Sequence, residues 1–237
     1  MVRKPVVTGL LAAFVALSGA ATAEAQITQS VNLAAGWFMV RGEDARDDND
    51  VLIADLESLA FEVSDFNGPI VNGEWLIGFG DRLEFGVGIG FYQRTVPSVY
   101  ADFLDSDGTE IEQDLKLRIV PVTATVKFLP IGRAGDFQPY VGGGIALLNW
   151  KYSEVGEFVD FSDNSIFRDR FVASGSTVAP IVFGGIRVPV SGDVFAVNGE
   201  LRWQGGKGDI DVDETGLLGD EISLGGFTAL VGFQIRF

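Results

Sequence analysis

Apolar residues recur at every second position in eight segments of the chain, the pattern of β-strands with one polar and one apolar face. The predicted strands cover residues 28–41, 70–80, 83–96, 115–129, 137–152, 176–190, 194–205 and 222–237. Three connections are short, at 80–82, 130–136 and 191–193, and four are long and mostly acidic, at 42–69, 97–114, 153–175 and 206–221. Long and short connections alternate, as in an up-and-down sheet whose closure leaves no edge strand. The sequence therefore predicts an all-β fold, an eight-stranded antiparallel up-and-down transmembrane β-barrel with short periplasmic turns and long acidic extracellular loops.

The two faces of each predicted strand differ in chemistry. In the third predicted strand, Phe85 and Phe91 share one face, whereas Glu84 and Arg94 lie on the other with glycines between them. The interior of an eight-stranded barrel is only wide enough for side chains or one small ligand, so glycine fits it and rows of phenylalanine would overfill it. The aromatic face is therefore predicted to point outward into lipid. A periplasmic lipocalin-like carrier, in which the faces would be reversed, is the alternative.

Aromatic residues on the fifth predicted strand are spaced like the two interfacial girdles of an outer-membrane barrel. Tyr140 and Trp150 share one face with Tyr152, and ten residues at about 3.3 Å each, tilted by about 40°, rise roughly 25 Å. These three residues, together with Trp203, are predicted to form the membrane girdle. The same counting leaves five apolar residues inside, which would make part of the interior dry: Val141, Ile145, Leu147, Ile181 and Phe183.

Charged side chains are predicted to project into the barrel by the same counting of faces. The set is Glu74, Glu84, Arg94, Lys127, Arg187, Glu200, Arg202 and Arg236. In a low-dielectric interior each charge needs an opposite partner or water. The set leans basic although the chain has a net charge of −16, and this inversion favours pairing inside the barrel. A salt-bridge network that plugs the barrel is the leading hypothesis; a narrow, gated or anion-preferring path and a catalytic carboxylate pair are the alternatives.

The composition narrows the chemistry further. The 237 residues include no His and no Cys, which excludes Ser-His-Asp and Cys-His catalysis, thiol redox chemistry, and His- or Cys-based zinc and haem sites. The strong acidity argues against a nucleic-acid partner, because phosphate binding depends on clustered Lys and Arg. No pattern indicates a cofactor.

Carboxylates are concentrated in the predicted loops, at residues 43–50, 102–112 and 209–214. Hard divalent cations bind oxygen-rich loops, and Asp209, Asp211 and Asp213 match the start of a calcium-binding loop. Glu214 stands where that motif requires glycine. Solvated acidic loops are the preferred interpretation, and divalent cations that bridge them to lipopolysaccharide are a hypothesis.

The first predicted loop contains a helical pattern. Leu52, Leu56 and Leu59 fall at i, i+4 and i+7 behind Asp50, which is a suitable N-cap. The spacing predicts a short amphipathic helix, either packed against its own loop or lying as a lid over the barrel mouth.

The first 25 residues are typical of a secretory signal peptide. Arg3 and Lys4 precede an apolar run over 6–17, and small residues follow that offer cleavage after Ala23 or Ala25. A helix that spans a membrane needs about 20 apolar residues, and this run is shorter. We expect residues 1–25 to be a signal peptide and residues 26–237 to be one outer-membrane barrel domain.

Two stretches resemble the small bacterial outer-membrane barrels of the OmpX, OmpA-barrel and OmpW type. They are Gln138–Gly144, which is similar to the strand start common in that superfamily, and Leu230–Phe237 with its terminal phenylalanine. The resemblance implies a bacterial outer-membrane location, contact with lipid and lipopolysaccharide, and recognition of the last strand (Val231, Phe233, Ile235 and Phe237) by the barrel-assembly machinery. Enzymes on this architecture use His, so none of their catalytic sites can be transferred to this chain.

The sequence thus predicts a non-enzymatic outer-membrane barrel, without a cofactor, that contributes to envelope integrity or to surface interaction through its acidic loops. The alternative is an OmpW-like narrow pore or transporter for small hydrophobic molecules or ions. In that case the five apolar residues assigned to the interior would line the path.

Overall fold

A computed structural model describes residues 27–192 and 194–237; the predicted signal peptide (1–25) and Asp193 of the last short turn lie outside the described residues. Eight strands form a closed antiparallel ring in which each pairs with its sequence neighbour in the ring and the last closes on the first. They are β1 (Ile27–Val40), β3 (Gly68–Phe79), β4 (Leu83–Leu104), β5 (Glu110–Phe128), β6 (Gln138–Asp160), β7 (Ser165–Ser191), β8 (Phe195–Gln204) and β11 (Gly226–Arg236). The predicted eight-stranded barrel is confirmed.

The outer surface of the ring is apolar over a continuous belt. On β8, Phe195, Leu201 and Trp203 are exposed, whereas the alternate residues Glu200 and Arg202 are buried. The belt comprises the outward residues of 27–39, 69–79, 83–91, 120–128, 139–147, 178–190, 195–203 and 227–237, which we call the membrane-level segments. A closed barrel with an apolar outside and a polar inside has the anatomy of a transmembrane β-barrel.

Four strands continue well beyond the belt. Residues 93–104, 110–118, 149–160 and 165–176 of β4, β5, β6 and β7 form a curved sheet above the membrane, which we call the wall. The prediction of loops at 97–114 and 153–175 is therefore wrong. Each segment is mostly strand, and its two strands are joined by a short turn, at 105–109 and at 161–164 respectively. The outer face of the wall contacts water, so its strands lack the outward apolar residues from which the membrane-level strands are predicted.

The other two long connections, 41–67 and 205–225, fold over the barrel mouth, and we call them together the cap. The cap contains α1 (Val51–Asp55), β2 (Leu59–Ala60), β9 (Lys207–Asp209), α2 (Val212–Thr215) and β10 (Glu221–Ser223). Asp50 is the N-cap of α1, as predicted, and accepts a hydrogen bond from the Leu52 amide. The helix is shorter than predicted, because Leu59 belongs to β2, which pairs with β4. No helix in the described part of the chain is long and apolar enough to span a membrane.

The predicted girdle needs a correction. Tyr140, Trp150 and Tyr152 are buried inside, while Val141, Ile145 and Leu147 are exposed on the outer face. The prediction had therefore reversed the two faces of β6. A tyrosine hydroxyl that faces lipid would have no partner there, whereas inside the barrel Tyr140 reaches Glu200. Trp203 does face outward, as do Trp37 and Trp75, which the prediction missed.

Candidate functional site

The turn end of the barrel is closed by a carboxylate held between two arginines. Arg187 donates to both oxygens of Glu84, with Nη2 to Oε2 at 2.7 Å and Nη1 to Oε1 at 2.9 Å. Arg133 donates from Nε to Oε1 of the same carboxylate at 3.2 Å and from Nη1 to Oγ1 of Thr28 at 2.9 Å. The bidentate geometry is the strong form of the Arg–carboxylate pair. Side chains from β1, β4, β7 and the β5–β6 turn are thus joined across the barrel axis.

A second ionic cluster fills the middle of the barrel. Lys127 Nζ lies 2.6 Å from Glu74 Oε2 and 3.6 Å from Glu200 Oε2. Arg202 Nη2 lies 2.7 Å from the other oxygen of Glu200. Thr125 donates from Oγ1 to Glu74 at 2.8 Å, and Tyr140 donates from its hydroxyl to Glu200 at 3.1 Å. Every charge in this cluster has an opposite partner, as burial requires.

Two aromatic rings lie against the cations of these clusters, and one of them, Tyr140, contacts a cation of each cluster. The Tyr140 centroid lies 5.2 Å from Lys127 Nζ and 5.8 Å from Arg187 Cζ. The Phe183 centroid lies 5.4 Å from Lys127 Nζ and 5.3 Å from Arg202 Cζ. The clusters together hold four cations and three carboxylates, and an aromatic face attracts a desolvated cation. Tyr140, predicted for the girdle, therefore belongs to the interior network.

Polar side chains also pack into the interior beside these clusters. Asn198 donates from Nδ2 to Asn32 Oδ1 at 2.6 Å, and Gln234 donates from Nε2 to Ser30 Oγ at 2.6 Å. The cavity beside Glu74 measures about 10 Å³, which is near the lower limit for a single water molecule.

The predicted charged residues divide into two groups. Six are buried within the barrel and belong to the clusters: Glu74, Glu84, Lys127, Arg187, Glu200 and Arg202. Arg94 lies above the membrane level, is exposed, and donates from Nε to the Asp65 carbonyl at 2.9 Å. Arg236 is half-buried at the turn end and close enough to Arg133 to affect it electrostatically. Arg133 was missed because it lies in a predicted turn, where counting of strand faces does not apply.

Above the membrane level the interior changes from polar to apolar. The cap buries Val51, Leu52, Phe66, Ile222 and Leu224 against the inner face of the wall. The wall contributes Leu115, Leu117, Trp150 and Tyr152, and Tyr92 and Leu148 lie directly below it on the same inner face. We call this apolar space the upper chamber.

A buried ion pair in the first cap loop also binds the second cap loop. Arg46 Nη1 donates to both oxygens of Asp50, at 2.9 and 2.8 Å, and both side chains are fully buried. Asp50 also accepts from the Ser223 amide at 2.7 Å. Since Asp50 belongs to the first cap loop and Ser223 to the second, the two loops are held as one unit.

Two acidic side chains meet where the cap touches the wall. Asp55, at the end of α1, accepts from the Tyr152 hydroxyl at 2.7 Å between Oη and Oδ2. Glu154 follows Tyr152 on the inner face of β6, is also buried, and has its carboxyl close to both Asp55 and Tyr152. Burial, more than any other cause, raises the pKa of both carboxyls.

The tips of the wall expose aromatic and aliphatic side chains far from the membrane. Leu104 is 62% exposed, Phe161 59% and Phe167 41%. Carboxylates flank them, among them Asp105 and Glu157 beside a groove of about 710 Å³ between the two hairpins. In the part of the chain that the structure describes, no three acidic side chains come together in a way that could hold a metal ion.

Comparisons with known proteins return solved structures only. No protein-family model matches the chain, and no curated protein sequence is significantly similar to it. The outer membrane protein OprG from Pseudomonas aeruginosa is 11% identical, with a TM-score of 0.48, covering 89% of this chain and 95% of that one.

Neisserial surface protein A is 13% identical, with a TM-score of 0.47 and coverage of 89% and 97%. The attachment invasion locus protein Ail of Yersinia pestis, in complex with the heparin analogue sucrose octasulfate, is 14% identical, with a TM-score of 0.42 and coverage of 89% and 99%. At these low values the fold assignment rests on the strand pairing of this chain itself.

Proposed function

We propose that this chain is a non-enzymatic outer-membrane barrel whose closed interior contributes to envelope integrity. The observation that carries the proposal is the ionic packing of the interior. The cavity beside Glu74 measures only about 10 Å³, whereas an ion path needs a continuous aqueous route. The alternative hydrophobic path loses three of its five lining residues, since Val141, Ile145 and Leu147 face lipid.

Planar-bilayer recording tests the closed state. The purified protein should insert without stepwise conductance. A variant with Glu84→Ala and Arg187→Ala at the turn end and Glu74→Ala and Lys127→Ala in the middle removes an ion pair from each cluster. It should conduct if it folds. Arg118→Ala, which changes an exposed arginine on the outer face of the wall, is the matched control and should stay silent. Stepwise conductance of the unaltered protein would contradict the proposal and favour the narrow pore.

The outer surface supports the predicted partners of the barrel. Lipid would cover the belt, and lipopolysaccharide would surround the wall. Divalent cations would bridge acidic residues of the tips to lipopolysaccharide phosphates. If they do, chelation should lower the melting temperature of the protein in vesicles that contain lipopolysaccharide but not in phosphatidylcholine vesicles. Equal melting temperatures in both would contradict the bridging.

The last strand is a suitable signal for the barrel-assembly machinery. Val231, Phe233, Ile235 and Phe237 are all exposed on the lipid side, and a free strand can be recognised by addition to a sheet edge. Phe237→Ser should reduce the folded protein in the outer membrane without changing the amount synthesised. An unchanged folded amount would count against this role.

A second candidate function is binding of a cationic, amphipathic partner at the wall tips. Phe161 lies about 14 residues beyond the last membrane-level residue of β6, which places it roughly 35 Å above the lipid. Apolar exposure at that height has no lipid to cover it. Asp102, Asp105 and Asp107 on one hairpin and Asp160 and Asp163 on the other make the surroundings acidic.

Titration with a fluorescent amphipathic peptide rich in Lys and Leu tests this candidate. Binding should weaken with salt and should fall at least about tenfold in the variant Phe161→Ser with Phe167→Ser. An acidic peptide of the same pattern is the control and should not bind. Equal binding of the peptide by the variant and the unaltered protein would exclude the tips as the site.

A further inference from the structure

We propose that Asp55, Glu154 and Tyr152 form a proton-dependent latch that holds the first cap loop against the wall and releases it as pH rises. The three side chains come from two different elements, α1 of the cap and β6 of the wall. The inference does not depend on whether the barrel conducts.

The contact is buried on both sides. Asp55 is 2% exposed, Glu154 6% and Tyr152 fully buried. Tyr152 has one hydroxyl proton, which it donates to Asp55, so the two neighbouring carboxyls share a single tyrosine donor. Glu154 Oε1 has no donor among the described residues. Two carboxyl groups in contact without a second donor are held together only if one of them carries a proton that the other accepts.

Among the described residues, no cation neutralises the pair. The other titratable groups that face it are Asp50, on the same helix, and Tyr100, from β4. Asp50 binds Arg46 with both oxygens, so the charge of that arginine is paired with Asp50. Lys116 and Lys151, on β5 and β6, belong to the outward-facing sets of their strands, opposite Leu115, Leu117 and Tyr152 on the inner face. A second negative charge at this contact would therefore be unpaired in an apolar surrounding, which is costly.

The direction of the pH effect follows from these surroundings. Burial raises the pKa of Glu154, and the nearby Asp55 carboxyl raises it further; burial likewise raises the pKa of Asp55. A carboxyl whose pKa is higher in the closed state than in the open state favours closure at low pH. That contribution is complete below the ordinary carboxyl range and is lost as pH rises through the raised values.

Loss of the proton loosens the contact between the cap and the wall. The two buried charges would then repel each other, and α1, with Val51 and Leu52, would move out of the upper chamber together with the second cap loop, to which Asp50 is bonded. The eight-stranded ring keeps the backbone hydrogen bonds between its strands and its ionic clusters. The latch therefore regulates access to the upper chamber and leaves the barrel intact.

Hydrogen exchange read by mass spectrometry tests the latch in the full chain, folded in detergent, between about pH 5 and about pH 10, after correction for intrinsic exchange rates. In the unaltered protein the protection of amides in 51–60 should fall by up to about tenfold for each pH unit above the ordinary carboxyl range. Amides of β8 should stay protected throughout. Protection in 51–60 that does not change with pH would overturn the proposal.

Variants separate the latch from general effects of pH. Glu154→Gln keeps a donor for Asp55 and cannot ionise, so its protection in 51–60 should be high and nearly independent of pH. Glu112→Gln, the same change at an exposed position of the wall, is the matched control and should behave like the unaltered protein. A Glu154→Gln variant that retains the full pH dependence would overturn the proposal.

Two further measurements complete the test. If Glu154→Gln does not fold, Asp55→Asn should flatten the pH dependence in the same way, and a full pH dependence there would also count against the latch. Calcium chloride or potassium chloride added at constant pH should have no specific effect on 51–60. Protection that depends on one of these cations and disappears on its removal would identify a cation site in place of a proton.

Discussion

The interior of this barrel has two levels of opposite polarity, which we call the ionic storey (at the membrane level) and the apolar storey (the upper chamber). At the membrane level the inside is ionic and the outside apolar; in the upper chamber the inside is apolar and the outside charged. Strand β5 passes through both. Thr123, Thr125 and Lys127 of its inner face lie at the membrane level, and Leu115 and Leu117 of the same face lie above it.

The difference shows that the solvent outside a strand determines what its inner face carries. Lipid requires apolar residues outside, so polar residues must be placed within and must neutralise one another. Above the lipid, water covers the charged outer face, and the inner face can form an ordinary apolar core. Each storey should therefore respond to a different kind of substitution.

The largest effect is expected in the ionic storey. Arg187→Met removes both bonds to Glu84 and leaves that carboxylate with Arg133 alone, which should cost about 3–5 kcal/mol. Urea unfolding of the refolded protein, followed by gel mobility of unheated samples, measures it. The variant that combines Arg187→Met with Glu84→Gln removes the buried carboxylate but leaves Arg133 without its partner, so it should recover only part of the loss. No recovery would mean that packing and not charge sets the stability of this storey.

A smaller effect is expected in the apolar storey. Leu117→Ala leaves a cavity under the cap and should cost about 3 kcal/mol. Val122→Ala, on the lipid side of the same strand, should cost much less because lipid can fill the space. The free energy of unfolding and exchange in 51–60 both report on this pair. Equal costs at the two positions would remove the distinction between the storeys.

The fold could be predicted because the membrane-level strands have strict alternation and the connections alternate in length. The wall could not be found in the same way. Along β5 the inner face changes from Lys127 and Thr125 to Leu117 and Leu115 without a shift in register. The apolar positions thus change face at the membrane boundary. A pattern that keeps the apolar residues on one face therefore ends there, although the strand continues.

The interior charges were predictable for the same reason that the strands were, since a charge on a membrane-level strand can only face inward. Tyr140 was misplaced because β6 has glycine and apolar residues on both faces, so its pattern does not identify the inner one. The contact of Asp55 with Glu154 joins residues about 100 positions apart in regions predicted as loops. Nothing in the sequence indicates that they meet.

The smallest expected effect compares the storeys with one substitution. Tyr140→Phe removes a hydrogen bond to the carboxylate of Glu200 at the membrane level. Tyr92→Phe removes one to the Phe66 carbonyl in the upper chamber. A bond to a charged acceptor contributes more than one to a neutral acceptor, so we expect losses of about 2 and about 1 kcal/mol in the free energy of unfolding. Equal losses would show that the ionic network redistributes around Glu200, in which case Lys127 and Arg202 alone suffice to hold that carboxylate in place.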